Sequence, residues 1–166
     1  RILFASEGIN GTLSGDSDIL GCFIKKVEGF QYNGENLFSS IDWKCSKVES
    51  HSGSFPDLYI SIVKEVVNSG NTVDATNLDE YGGKHLTPEE FHNIIAEGNN
   101  NSKEIVLIDV RNTYEYAIGH FEAPSGVKAI NPSMITFSTF DSTFCAKNED
   151  YLKDKKVLTY CTGGIR

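Results

Sequence analysis

The sequence predicts two successive mixed units: a small α+β unit over residues 1–67 and an α/β unit with a parallel sheet over residues 86–166. Three observations carry this. The first half alternates short β-type runs with one amphipathic helix. The second half holds two continuous apolar runs, residues 105–108 and 157–160, the pattern of strands covered on both faces in a parallel sheet. Between them, residues 68–85 are rich in Asn, Gly, Asp and Thr without periodicity and read as an interdomain linker.

At 166 residues, with 39% hydrophobic and 23% charged residues, the chain has an ordinary globular composition. No apolar run is long enough for a membrane span, and no basic-then-apolar leader is present. A soluble, cytoplasmic protein without membrane partners is expected. The chain starts inside a β-type run at Arg1 and stops in a turn at Arg166, so it reads as a piece of a longer protein. Cys22, Cys45, Cys145 and Cys161 are widely spaced, with no C-x-x-C pair and no His at zinc-ligand spacing. Free thiols and no metal are expected. The net charge of −8 divides into 7 basic against 12 acidic residues through residue 85, and 8 against 11 afterwards. That balance argues against tight nonspecific nucleic-acid binding, yet leaves room for a local basic groove.

In chain order, Ile2-Leu3-Phe4-Ala5 reads as a strand, residues 7–11 as a hairpin turn with the Asn10-Gly11 signature, and residues 12–14 as the returning strand. Residues 17–27 place Ile19, Phe23 and Val27 four apart, the spacing of an amphipathic helix capped by Ser17 or Asp16. Residues 42–49 alternate, and residues 58–67 form a strong β-run. The order β-β-α-β-β, with upstream elements missing, predicts an incomplete ferredoxin-like or acylphosphatase-like α+β domain. In the second half, Thr87, Pro88 and Glu90 spell a capping box with Pro at the first helical position. Phe91, Ile94 and Ile95 face inward, and the helix ends at Gly98. Residues 132–147 show few helix signals and read as an insert.

Chemistry in a parallel α/β sheet collects at the strands' C-terminal ends, where Asp109 and Arg111 follow the first strand and Cys161 the second. A thiolate is favoured by positive charge or converging N–H groups, which a turn through Gly163 and Gly164 to Arg166 can supply. Asp109, Arg111, Glu115 and His120 read as supporting residues. A strand-end aspartate caps the next turn, Arg111 and Glu115 are spaced for an i, i+4 ion pair, and His120 could assist proton transfer.

Asp109-Val110-Arg111, Tyr114-Glu115-Tyr116, Gly119-His120-Phe121-Glu122-Ala123 and then Cys161 at a strand end resemble the rhodanese superfamily pattern. The resemblance implies a nucleophilic Cys161 that carries sulfur as a persulfide. The loop Thr162, Gly163, Gly164, Ile165 and Arg166 would wrap the terminal sulfur with its amides. The related dual-specificity phosphatases use a loop one residue longer, so the spacing C-x-x-x-x-R favours a ring fitted to one sulfur over one fitted to a phosphate. More narrowly, Glu7-Gly8-Ile9-Asn10-Gly11-Thr12 with Leu13-Ser14-Gly15, residues 83–91, and Tyr160 through Arg166 together resemble the rhodanese-type tRNA uridine hydroxylases over nearly the whole chain. That implies oxygen-dependent 5-hydroxylation of the wobble uridine, with tRNA as substrate, molecular oxygen as co-substrate, Cys161 essential, and no metal or flavin cofactor. An oxidised or persulfidated Cys161 is one candidate carrier, since a low-pKa thiolate enters the oxidation ladder readily. The family pattern continues past the arginine with a second cysteine and a helix, so the rhodanese-like domain reads as truncated at its active-site loop.

Two alternatives remain at this stage: a sulfurtransferase moving sulfane sulfur to a thiol or cyanide, and a noncatalytic rhodanese-fold binding module. An intact cysteine and glycine loop weigh against the module. For RNA contact, Lys44, Lys47 and Lys64 on alternating strands, with Trp43 as a stacking ring, are the candidates. The oligomeric state is not encoded in any feature of the sequence.

Overall fold

The computed structural model describes residues 1–47, 55–73, 77, 82–98 and 103–165. The chain divides into two compact units, Arg1–Val66 and Val67–Arg166.

In the first unit, β1 (Ile2–Ala5) pairs antiparallel with β2 (Gly8–Gly11) and parallel with β5 (Ile60–Ile62). The register sets Leu3 opposite Asn10 and Ala5 opposite Gly8, so the chain turns at Ser6-Glu7. The predicted turn at Asn10-Gly11 is therefore corrected: these residues lie in the ladder. Gly8 closes the turn with φ of +138°, a conformation that side chains disfavour. Helix α1 (Ser17–Glu28) is capped by Asp16, whose carboxylate accepts the N–H groups of Asp18 and Ile19. The hairpin that Asn-Gly does make is β3 (Gln31–Tyr32) with β4 (Glu35–Asn36), turning on Asn33 and Gly34 at φ +52° and +83°.

The strand predicted at 42–49 is not formed over residues 42–47, and its remainder lies outside the described residues. Trp43 packs edge-on against Phe23 of α1, with ring centroids 6.5 Å apart, instead of extending a ladder. The β-run at 58–67 contributes three strand residues, because its partner β1 is itself only four residues long. Among the described residues of this unit none is fully buried.

The second unit is organised on β6 (Ile105–Asp109), which lies between β7 (Ala129–Ile130) and β8 (Lys156–Tyr160) with all pairings parallel. Every residue of β6 is buried. Alternation sends Ile105 and Leu107 to one face, against Ile95, Ala123, Val127 and Leu158. Val106 and Ile108 go to the other, against Val110, Met134 and Phe144. Helix α2 (Pro88–Glu97) covers the first face. Its capping box is closed by the Thr87 hydroxyl on Glu90 N–H and by the Glu90 carboxylate on Thr87 N–H. Helix α3 (Thr113–Ile118) follows β6.

The second face is covered by helical structure where the sequence reads as an insert. A 3₁₀ turn (Phe137–Thr139), a π-helical turn (Asp141–Cys145) and α4 (Ala146–Leu152) run on from one another. The reading of residues 132–147 as poor in helix is thus corrected. Phe137, Phe140 and Phe144 stack along this segment, with successive centroids 5.6 and 5.8 Å apart, and this apolar face drives it onto the sheet.

Candidate functional site at the carboxyl ends of the parallel strands

Cys161 is the first residue after β8. Continuing the strand's alternation, it falls on the face opposite Tyr160, where it packs partly buried against the cluster of Val110, Met134 and Phe144. The loop beyond it folds back. The Gly164 N–H donates to Cys161 Sγ at 3.0 Å, and Gly164 sits at φ of +74°, where glycine is free to go. One backbone dipole thus points at the sulfur, and such a donor favours the anionic form of the thiol.

Behind the cysteine lies a charged network anchored on Asp109. This carboxylate is fully buried. It accepts the Arg111 N–H at 3.0 Å as a turn cap, and Arg111 Nε and Nη2 at 2.9 and 2.6 Å. It also accepts the Tyr160 hydroxyl at 2.8 Å. Asp109 and Tyr160 are register partners across β6 and β8, so the sheet itself brings them together. Burial alone would raise the Asp109 carboxyl, but hydrogen bonds from Arg111 and Tyr160 outweigh it and hold it below the usual aspartate range. The bonds to Asp109 push the Arg111 guanidinium upward. Burial, together with the bond to Asp109, pushes the Tyr160 phenol up to about 12. Tyr160 also accepts the Phe121 N–H at 3.1 Å and packs its ring on Phe121 at 4.3 Å, with Arg111 5.5 Å from its centroid. Arg111 Nη2 reaches on to the Gly119 carbonyl at 2.6 Å.

The expected i, i+4 pair of Arg111 with Glu115 is replaced by the Arg111–Asp109 pair at 2.6 Å. Asp109 is closer in sequence, is already buried, and presents both oxygens to the guanidinium fork. Glu115 instead accepts the Asn112 N–H at 3.1 Å through Oε2 and the Thr162 hydroxyl at 2.8 Å through Oε1. It therefore touches the loop that carries Cys161. His120 stacks flat on Tyr116, with centroids 3.9 Å apart and planes within 3°. Its Nδ1 lies 3.1 Å from the Tyr116 carbonyl and its Nε2 3.6 Å from Glu122.

Tyr160 and the Thr162–Glu115 contact carry more of this geometry than the sequence reading assigned them. The signal for Tyr160 was present: a hydroxyl-bearing ring directly before the cysteine, on a strand that had to lie beside the one ending in Asp109. Glu115 and Thr162 were both read as candidates, but their contact gave no comparable signal, because it joins α3 to a loop far along the chain.

Arg166 lies outside the described residues. Lys44 and Lys47 are not on strands, and Lys64 follows β5, so the expected ladder of strand lysines is corrected. Lys44 pairs with Asp42 at 2.6 Å, a local neighbour that holds it in place of a strand partner. Trp43 is packed on Phe23, which leaves its ring committed to α1. Burial and the nearby Asp141 raise the Cys145 thiol. Among the described residues, no group of three or more His, Cys, Asp or Glu is placed to hold a metal ion, and no helix is long and apolar enough to cross a membrane.

Residues 87–166 match the family described as the rhodanese-like domain. The whole chain is similar to curated proteins named tRNA uridine(34) hydroxylase. It is 38% identical over 169 residues to that of Acholeplasma laidlawii, across 100% of this chain and 46% of the relative. It is 36% identical over 166 residues to that of Onion yellows phytoplasma, covering 48% of that protein. The Arthrobacter sp. relative is 36% identical over 170 residues, with 53% of it covered. The chain spans about half the length of these relatives.

Proposed function

We propose that the chain belongs to the rhodanese-like tRNA uridine hydroxylase family and that it is the part of such an enzyme that bears the reacting thiol, Cys161. The whole protein then hydroxylates C5 of the wobble uridine of tRNA, in the cytoplasm, with molecular oxygen as co-substrate. One oxygen atom replaces the C5 hydrogen as hydroxyl. The other leaves as water, with two electrons supplied by a thiol-class donor that becomes a disulfide. Cys161 reacts, the Gly164 amide stabilises charge on its sulfur, and Thr162, Gly163 and Ile165 complete the described part of the loop, to which the family resemblance adds Arg166. Asp109, Arg111 and Tyr160 hold the strand end, and no metal or flavin is required. His120 is assigned a packing role because its ring is engaged by Tyr116 and Glu122. The first unit is a partial ferredoxin-like domain and meets the tRNA, with Lys64, Lys44 and Lys47 as the candidate phosphate contacts.

The observation that carries this reading is that similarity to the hydroxylases runs through both units and not through residues 87–166 alone. The test is mass spectrometry of tRNA nucleosides from cells lacking the full-length protein, which should lose 5-hydroxyuridine and its derivatives. Unchanged nucleosides would overturn it. A second reading, sulfane-sulfur transfer, is favoured by the short loop whose amide meets a single sulfur. It predicts thiosulfate-to-cyanide transfer lost together with Cys161.

A further inference from the structure

The Glu115 carboxylate is shared between two elements. Through Oε2 it accepts the N–H of Asn112 at the start of α3, and through Oε1 the hydroxyl of Thr162, the first residue of the loop after Cys161. Each bond has a carboxylate acceptor and is stronger than a neutral one. The Oε2 bond fixes the carboxylate's orientation on the helix, so Oε1 is offered to the loop from a set position. Two residues beyond Thr162, the Gly164 N–H meets Cys161 Sγ. Cys161 and Thr162 are adjacent, so pinning the Thr162 side chain restricts the peptide that connects the sulfur-bearing residue to the amide that turns back onto it.

We propose that Glu115 is a positioning residue for Cys161, acting through Thr162 to hold the loop in the conformation that aims the Gly164 amide at the sulfur. The inference rests on the reading of Cys161 as the reacting thiol, but it concerns the reactivity of that thiol and not the identity of its substrate. It also has an opposite in sign. If Glu115 acted on Cys161 by charge alone, its carboxylate would oppose the thiolate, and neutralising it would make the cysteine more reactive. If it acts by positioning, neutralising it makes the cysteine less reactive.

The test is the rate of iodoacetamide alkylation at Cys161 in the full-length protein, read peptide by peptide because Cys22, Cys45 and Cys145 are also free thiols. Thr162→Val keeps the shape and removes the hydroxyl. It should slow alkylation at neutral pH by about tenfold, as loss of one hydrogen bond to a charged acceptor would. Thr162→Ser, which keeps the hydroxyl, should restore the rate. Glu115→Gln should slow alkylation, and the double variant should be no slower than the slower single, because both variants act on the same contact, one by removing its hydroxyl donor and the other by removing the charge of its acceptor. Wild-type alkylation in Thr162→Val, faster alkylation in Glu115→Gln, or additive losses in the double variant would each overturn the proposal. Because alkylation needs no tRNA, these outcomes stand apart from those of the nucleoside measurement.

Discussion

Tyr160 is the residue through which the strand end is most open to test. Its hydroxyl donates to Asp109 and accepts from the Phe121 amide, so Tyr160→Phe removes one partner from a buried carboxylate and one from a backbone N–H. A loss of about 1–2 kcal/mol in unfolding free energy is expected, measured by urea denaturation of the full-length protein. The same network sets a pH dependence. The Asp109 carboxyl is held low in the folded state, so the stability it contributes is fully present above its ordinary value of about 3.9 and is lost as pH falls through the lower folded value. The Tyr160 phenol is held high, so its share is present below its ordinary value of about 10 and lost as pH rises through about 12. Denaturation curves across pH should therefore show a less steep acid-side decline in Asp109→Asn than in wild type. An unchanged acid limb would mean that Asp109 is not held low.

At the scale of elements, helix α2 is the clearest case of a structure written locally. Thr87, Pro88 and Glu90 form the cap they spell, and Lys84 adds a bond to Glu90 at 2.8 Å. That bond, with the Thr87 N–H, holds the Glu90 carboxyl at about 2. Thr87→Ala should cost about 1 kcal/mol, read by the same urea titration. Strand β6 was equally legible, since its continuous apolar run means burial on both faces. Strand β8 forms where expected, but it is corrected on burial: it lies at the edge of the described sheet, with Val157 and Thr159 exposed and only Leu158 buried. Two other elements were not legible. Asn-Gly occurs twice, and the pair at 10–11 lies in a ladder while the pair at 33–34 makes the turn. The dipeptide alone does not say where flanking strands will pair. The π-helical turn over Asp141–Cys145 was hidden because its five-residue hydrogen-bond step breaks the periodicity by which helices are recognised, although Phe137, Phe140 and Phe144 already marked a helical face. Phe144 is buried against the face that carries Cys161, and Phe144→Ala should cost roughly 3–5 kcal/mol. Of the site, Cys161 and the aspartate that ends the neighbouring strand could be read from strand ends. The contacts of Glu115 with Thr162 and of Tyr160 with Phe121 could not, because they join segments 47 and 39 residues apart.

Across the molecule, burial is uneven. The second unit buries all of β6, whereas the first has no fully buried residue among those described. Amide hydrogen exchange in the full-length protein should be slowest at Val106, Leu107 and Ile108 and faster throughout β1 and β2. The acidic balance of −8 means that any tRNA contact is local and not spread over the surface. The proposed chemistry on tRNA turns on one thiol, at the end of one strand. In cells lacking the full-length protein, re-expressed wild-type protein should restore 5-hydroxyuridine in digested tRNA, measured by mass spectrometry, and Cys161→Ser at equal abundance should not. Restoration to the wild-type level by Cys161→Ser would contradict it.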